Sequence, residues 1–291
     1  KSMKILVTGS SGYLGENLID FLSEKKFNIS RLHRNKETHK DNFYWDPENK
    51  NINHKVIENS DVIINLNGKR IIRPIKREDF SEIRKSRINP TETLISAINK
   101  SKNPPKLLIS ASACGFYGNR SNEILDENSP KGRGALPDLV EEWETIHKSK
   151  NYRIVNLRLG TVLGKKSPMI SMMKKYSSII GVSSFGKGDN YFPWIGLIDS
   201  LRAIEHIIHN EKINGPVNIT SYKPYILRDV LEDINLRLKP ILKLKIPGEV
   251  IKILFGGLGD EIMLSNQNIK PRILLESSFN WINSTPFSSI S

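Results

Sequence analysis

The chain has 291 residues, 38% of them apolar, which suits one large α/β domain or a main domain with a smaller lobe. Its 44 basic and 31 acidic side chains leave a formal charge of +13, yet the lysines are dispersed; without zinc-finger spacing, an RNP-type aromatic strand or a basic heptad helix, no nucleic-acid partner is expected. No apolar run approaches the roughly 18–20 residues that cross a bilayer, and a single cysteine, Cys114, excludes an internal disulfide.

Lys1 to Lys4 lead straight into an apolar run with no signal-like segment. Together with the lone cysteine, this predicts a reducing, cytoplasmic setting and no membrane partner. Strand-like and helical patterns then alternate. Residues 4–9 read as a buried strand, 13–26 as an amphipathic helix, 28–34 as a second strand and 60–68 as a third. Residues 87–101 read as a helix interrupted early by Pro90, and 106–118 as a strand running into a loop. Residues 137–149 form a helix with Pro137 at its first position, and 152–164 a strand ending in a glycine loop. Beyond Lys165 the rhythm loosens. A Met-rich helix at 167–181 carries Met169, Met172 and Met173 on one stripe, and a helix starts near Asp199, which is expected to cap it. A strand at 215–221 follows, and the segments 226–239, 247–256 and 271–282 are read as a second lobe.

This alternation predicts an α/β fold: a Rossmann-type doubly wound parallel sheet with a smaller C-terminal lobe. The sheet domain is expected over 3–165 with 192–221 returning to it, and the lobe over 166–191 and 222–291. Oligomeric state is left open, a homodimer included.

Gly9, Gly12 and Gly15 stand where the first strand gives way to the first helix. That context suits a dinucleotide. One glycine permits the tight turn, the next lets pyrophosphate approach the backbone, and the third lets helix and strand pack closely. The helix N-terminus adds amide donors and positive dipole. NAD-binding units carry an acidic side chain at the end of the second strand. Residues 28–36 contain no Asp or Glu; His33 holds that place, with Arg34 after it and Arg31 nearby. A guanidinium pairs with a 2′-phosphate that a carboxylate would repel, so NADP(H) is the expected cofactor.

With these pieces placed, the chain resembles the extended short-chain dehydrogenase/reductases, and within them an atypical subgroup of nucleoside-diphosphate-sugar epimerase-like proteins. The landmarks run in order along nearly the whole chain: TGSSGYLG (8–15), INLNGKRI (64–71), SRINPTETL (86–94), SASACGFYG (110–118), VEEWE (140–144), RLGTVLG (158–164), WIGLIDS (194–200), GPVNIT (215–220) and PRILLESSFNW (271–281). The resemblance implies cofactor contacts from Gly9, Ser11, Gly12, Tyr13, Leu14 and Gly15 at the pyrophosphate and from Arg34 at the 2′-phosphate. It further implies that Leu66, Asn67 and Gly68 line the adenosine side, and that Ser110, Ala111, Leu159, Gly160 and Thr161 lie toward the nicotinamide.

The catalytic pattern departs from the family. Its active members use Tyr-x-x-x-Lys on a helix, where the lysine charge lowers the phenol pKa. Aligned on Glu144, the tyrosine place here is Leu136 and the lysine place Val140. Either another group moves the proton, or the protein binds cofactor without the usual chemistry, as a sensor. Tyr117, with Ser112 upstream, is the best substitute for polarising a carbonyl. The substrate would be a small polar or nucleotide-linked molecule. Arg158 is expected to pair with a carboxylate at the sheet edge, Glu144 to anchor a neighbouring backbone, and Cys114 and Trp143 to pack. Asp126 and Glu127 are expected to serve a turn. His206 and His209 read as surface residues; no third ligand suggests a metal.

Overall fold

A computed structural model of the chain describes residues 2–35, 41–69, 79–146, 151–176, 179–255 and 258–290. The strands in chain order are β1 (Lys4–Thr8), β2 (Asn28–His33), β3 (Asn42–Tyr44), β4 (Val62–Asn65), β5 (Leu107–Ala113), β6 (Ile124–Leu125) and β7 (Arg153–Leu159). They continue with β8 (Thr161–Leu163), β9 (Ile180–Phe185), β10 (Trp194–Gly196), β11 (Gly215–Ile219), β12 (Leu242–Ile246) and β13 (Asn268–Ile269). Longer helices are α1 (Tyr13–Glu24), α3 (Asp79–Lys100), α4 (Ala135–Thr145), α5 (Pro168–Tyr176), α6 (Leu197–His209), α7 (Leu227–Leu238) and α8 (Gly248–Phe255). Shorter ones are α2 (His54–Glu58), α9 (Arg272–Glu276) and α10 (Pro286–Ser289).

Seven strands pair in the order β11-β7-β5-β4-β1-β2-β3, every pair parallel. A parallel sheet covered on both faces needs strands that are apolar on both sides, and the central strands are. Ile5 and Val7 of β1 join one core with Val62 and Ile64 of β4, under α1 and α6. Leu6 and Ile63, pointing the other way, join a second core with Leu94 and Ile98 of α3 and Trp45. A third apolar cluster gathers Met169, Ile170 and Met173 of α5 with Trp194 and with Val230, Leu231 and Ile234 of α7. It forms the smaller lobe beside the β9–β12 pair.

Several expectations are corrected. α3 runs unbroken through Pro90. Pro90 removes one amide, but burial of Ile88, Thr91 and Leu94 around it holds the helix together. α4 begins two residues before Pro137, which still sits in the first turn, where no amide is needed. The last residues expected in that helix, 147–149, lie outside the described residues. Gly196, not Asp199, stands at the N-cap of α6. Asp199 is fully buried inside the first turn, where it accepts from the Ile282 and Asn283 amides, both at 2.8 Å, and so staples the C-terminal tail to the sheet domain.

Candidate functional site

The glycine turn is built by close contacts that only glycine permits. Gly9 has φ +69, and a Cβ there would collide with the Leu66 carbonyl oxygen. A Cβ on Gly15 would strike the Gly9 carbonyl oxygen, so α1 could not seat against β1. Gly12 is the N-cap and offers no side-chain acceptor, which leaves the first amides of α1 for an external anion. Gly9, Ser11 and Gly12 open on a cleft of about 650 Å³ that Arg31, His33 and Arg34 border from the end of β2. Arg34 is exposed and lies near Asp46, whose carboxyl is held below its usual range first by the Asn49 side-chain hydrogen bond and last by the Arg34 charge. Glu16 is the one carboxylate among the described residues lining this cleft. Leu66, Asn67 and Gly68 close its other wall.

Tyr13 and Leu14 do not line this cleft. Leu14 packs on the core under α1. The Tyr13 hydroxyl sits against Gly164, which has no Cβ to displace it, and burial pushes the phenol up to about 12.

Beneath the turn, a polar rack ties the carboxyl ends of the strands together. Asn65 accepts from Thr8 at 2.9 Å and donates to Thr91 at 3.0 Å and Ser110 at 3.1 Å. The Asn67 amide donates to Asn65 at 2.7 Å and also to Thr8, and Trp143 Nε1 donates to Thr91 at 3.0 Å. Ser110 is thus spent inside the rack, and Ala111 is packed in a core cluster; neither lines a cleft.

A second cleft, about 180 Å³, lies beside the first. Leu159, Gly160 and Thr161 border it, with Cys114 and Gly115. Its opposite wall is α4, and the wall is apolar: Leu136 and Val140, the places of the family tyrosine and lysine, with Leu139 and Trp143. The third apolar cluster contributes Phe192 and Met263, with Ile262 packed against it. Among the described residues two charged groups reach this cleft, Arg87 and Glu261. The Glu261 carboxylate accepts from the Ala135 and Leu136 amides at 3.1 and 2.7 Å, capping α4 from across the cleft. Sequence reasoning gave Arg87 and Glu261 no role. Arg87 stands within a quoted landmark, but only the fold reveals what it faces.

Tyr117 does not line either cleft. The 3₁₀ turn Cys114–Tyr117 carries it under the sheet end, fully buried. Its hydroxyl donates to Asn218 at 2.7 Å and accepts from Arg158 at 3.1 Å, and burial pushes its pKa upward. Ser112 donates to Glu144 at 2.6 Å. Glu144 holds a side chain rather than a backbone: it receives Arg158 through Nε at 2.9 Å and a terminal nitrogen at 2.7 Å. Arg158 therefore has its carboxylate, but in the sheet interior, since β7 lies between β5 and β11. Glu127 does more than shape a turn; it accepts from the Asn218 amide at 3.0 Å and the Ile273 amide at 3.3 Å. Cys114 is packed, donating to the Arg158 carbonyl, and no group of three potential metal ligands occurs among the described residues.

A further cleft of about 700 Å³ opens at the amino ends of the strands, among Lys4, Asp61, Lys106 and Arg153. Ligands of open parallel sheets bind at the carboxyl ends, where the glycine turn and the apolar cleft meet.

The model of the NAD dependent epimerase/dehydratase family matches residues 5–220. The chain belongs to this family. It is 29% identical to an epimerase family protein of Mycobacterium bovis over 285 residues, covering 97% of this chain and 94% of that one. It is 31% identical to the Bacillus subtilis epimerase family protein YfhF over 230 residues, covering 76% and 75%. The crystal structure of human epimerase family protein SDR39U1 with NADPH superposes with a TM-score of 0.85 at 22% identity, covering 99% of this chain and 97% of the human one. In this epimerase family chain no described helix is long and apolar enough to cross a membrane.

Proposed function

We propose that this epimerase family chain binds NADP(H) across the glycine turn and serves hydride transfer to or from a ligand in the apolar cleft. The observation that carries the reading is the end of β2, where Arg31, His33 and Arg34 border the cleft and no carboxylate stands among them. A 2′-phosphate fits that cationic rim, and a ribose-binding acid is missing from it. The fit is supported by the bare cradle of Gly9 and Gly15 and by His33 Nε2, which is buried without a partner among the described residues. The human relative crystallised with NADPH agrees with this choice.

In this reading the free amides at the start of α1 hold the pyrophosphate, and Arg34, with Arg31, holds the 2′-phosphate. The Asn65–Asn67 rack keeps the strand ends rigid beneath it. When bound, the nicotinamide supplies or accepts the hydride. The Leu136, Val140 and Trp143 wall excludes water from the reacting side. Thr161 brings a hydroxyl to this cleft, and no hydrogen-bond partner for it occurs among the described residues. It can donate to a carbonyl oxygen but carries no permanent charge. Tyr117 and Ser112 act as positioning residues: they lock Arg158 and Glu144, and so α4, in place. The apolar tyrosine and lysine places also favour a second reading, in which the protein binds NADP(H) as a sensor without turnover.

Calorimetric titration with NADPH and NADH tests the cofactor. NADPH is expected to bind at least about tenfold tighter, a difference of about 1.4 kcal/mol, and Arg34→Ala to remove most of the gap. Equal wild-type affinities would refute the assignment. Turnover of a carbonyl panel with NADPH separates the enzyme from the sensor.

A further inference from the structure

We infer that Arg87 is the anion-binding residue of the apolar cleft, whose ligand pairs an apolar body with a single carboxylate or phosphate end. The inference rests on the reading above only for what fills the neighbouring cleft.

Among the described residues the guanidinium has no counter-charge. Its hydrogen bonds go to the Ile83 carbonyl at 3.1 Å, the Ser86 hydroxyl at 3.3 Å and the Lys69 carbonyl at 3.1 Å, all neutral acceptors. These occupy three of its five N–H donors. Neighbouring arginines are treated differently. Arg84, one turn earlier on α3, pairs with Glu142, and Arg158 pairs with Glu144. No carboxylate lies within ion-pair distance of Arg87 among the described residues. Yet the group is desolvated: burial pulls its pKa down to about 10, so it stays charged at neutral pH without a partner. A partly buried cation left unpaired is costly unless a ligand completes it.

The setting aims that charge at the cleft. The guanidinium carbon lies 5.4 Å from the Trp143 ring centre, so the ring of one cleft wall supports it from one side. Gly68 gives it room; a Cβ there would come within 3.2 Å of the same carbon. The other charged group of the cleft, Glu261, is spent on the amides of α4. The cleft therefore combines apolar walls with one unspent positive charge. The planar guanidinium fork matches the paired oxygens of carboxylate and phosphate. That chemistry suits an acid with a compact apolar body better than a sugar, which would need hydroxyl partners along the α4 wall.

Lys69 and Ser86, which hold or flank Arg87, also border the first cleft, so the anion could belong to the ligand of the apolar cleft or to the dinucleotide itself. Titration separates the two. The NADP⁺-loaded and the cofactor-free protein are each titrated with phenylacetate, phenyl phosphate and the neutral phenylacetamide. Both anions are expected to bind at least about tenfold tighter than the amide, as for a desolvated charged hydrogen bond. Arg87→Met should erase that preference and Arg87→Lys should keep part of it, while NADPH affinity stays unchanged and near-ultraviolet dichroism confirms the fold. Equal binding of acid and amide by the wild type, or no binding of either anion, overturns the inference without any variant. So does loss of NADPH affinity in Arg87→Met with the anion preference intact, which would give Arg87 to the dinucleotide. If the wild type binds no NADPH, the cofactor reading falls, while the acid-to-amide ratio of the cofactor-free protein still decides on Arg87.

Discussion

Removing Glu144 should cost the fold more than any exposed ion pair does. Glu144→Ala leaves the Arg158 guanidinium, whose side chain is only 4% exposed, without the carboxylate it meets at 2.7 and 2.9 Å. Breaking one side of a buried pair costs about 3–5 kcal/mol. The Ser112 hydroxyl loses its acceptor as well, which adds roughly 1 kcal/mol. The Tyr117 hydroxyl at 3.1 Å and the Phe116 ring, 3.5 Å from the guanidinium carbon, stay in place and offset part of the loss. The sum is about 4 kcal/mol, a large share of the roughly 5–15 kcal/mol that holds an ordinary domain together. Urea unfolding followed by tryptophan fluorescence measures it. Two comparisons sharpen the result. Glu142→Ala, which breaks the exposed pair with Arg84, should cost under about 1 kcal/mol. The double variant Glu144→Leu/Arg158→Met should recover at least half of the loss, because no charge then remains buried. A Glu144→Ala cost as small as that of Glu142→Ala would refute the account of this pair.

Two further outcomes follow from the geometry. Gly9→Ala must place a Cβ against the Leu66 carbonyl at positive φ; it should lose at least about 1 kcal/mol of stability and weaken NADPH binding beyond that loss, so wild-type affinity in this variant would contradict the cradle. Glu127 is held above its usual carboxyl range chiefly by burial, and one of its oxygens has no hydrogen-bond partner among the described residues. A raised carboxyl pKa means the protonated form suits the fold, so its contribution is fully present below the unfolded value and is lost as pH rises through the folded one. Glu127→Gln should therefore match or exceed the wild type near neutral pH and lose that advantage by roughly pH 4, as read from urea midpoints; a margin of the Gln variant over the wild type that grows in acid would overturn the sign.

What the residues revealed in advance was local. The glycine turn, the apolar central strands, α1 and α6 are each written in one short window of sequence. So is the bare acidic place at the end of β2. The misses came from contacts between distant segments. β12 reads LKLKI and is exposed along most of its length, and only its pairing with β9 makes it a strand. Pro90 spoke for a broken helix, and burial on both sides of α3 overruled it. Tyr117 stood beside the expected reaction site in sequence, but the 3₁₀ turn carries it beneath Arg158, and that turn has no signature of its own. The wall of the apolar cleft draws on residues 136–143, 159–161, 192–193 and 261–267, and no local pattern announces that they meet.

The most direct test of the central claim separates the 2′-phosphate from the rest of the cofactor. Adenosine 2′,5′-bisphosphate and 5′-AMP are titrated calorimetrically against wild type and Arg34→Ala. The bisphosphate should bind at least about tenfold tighter to the wild type and lose that margin in the variant. Indistinguishable affinities in the wild type would show that the cationic end of β2 does not read a phosphate.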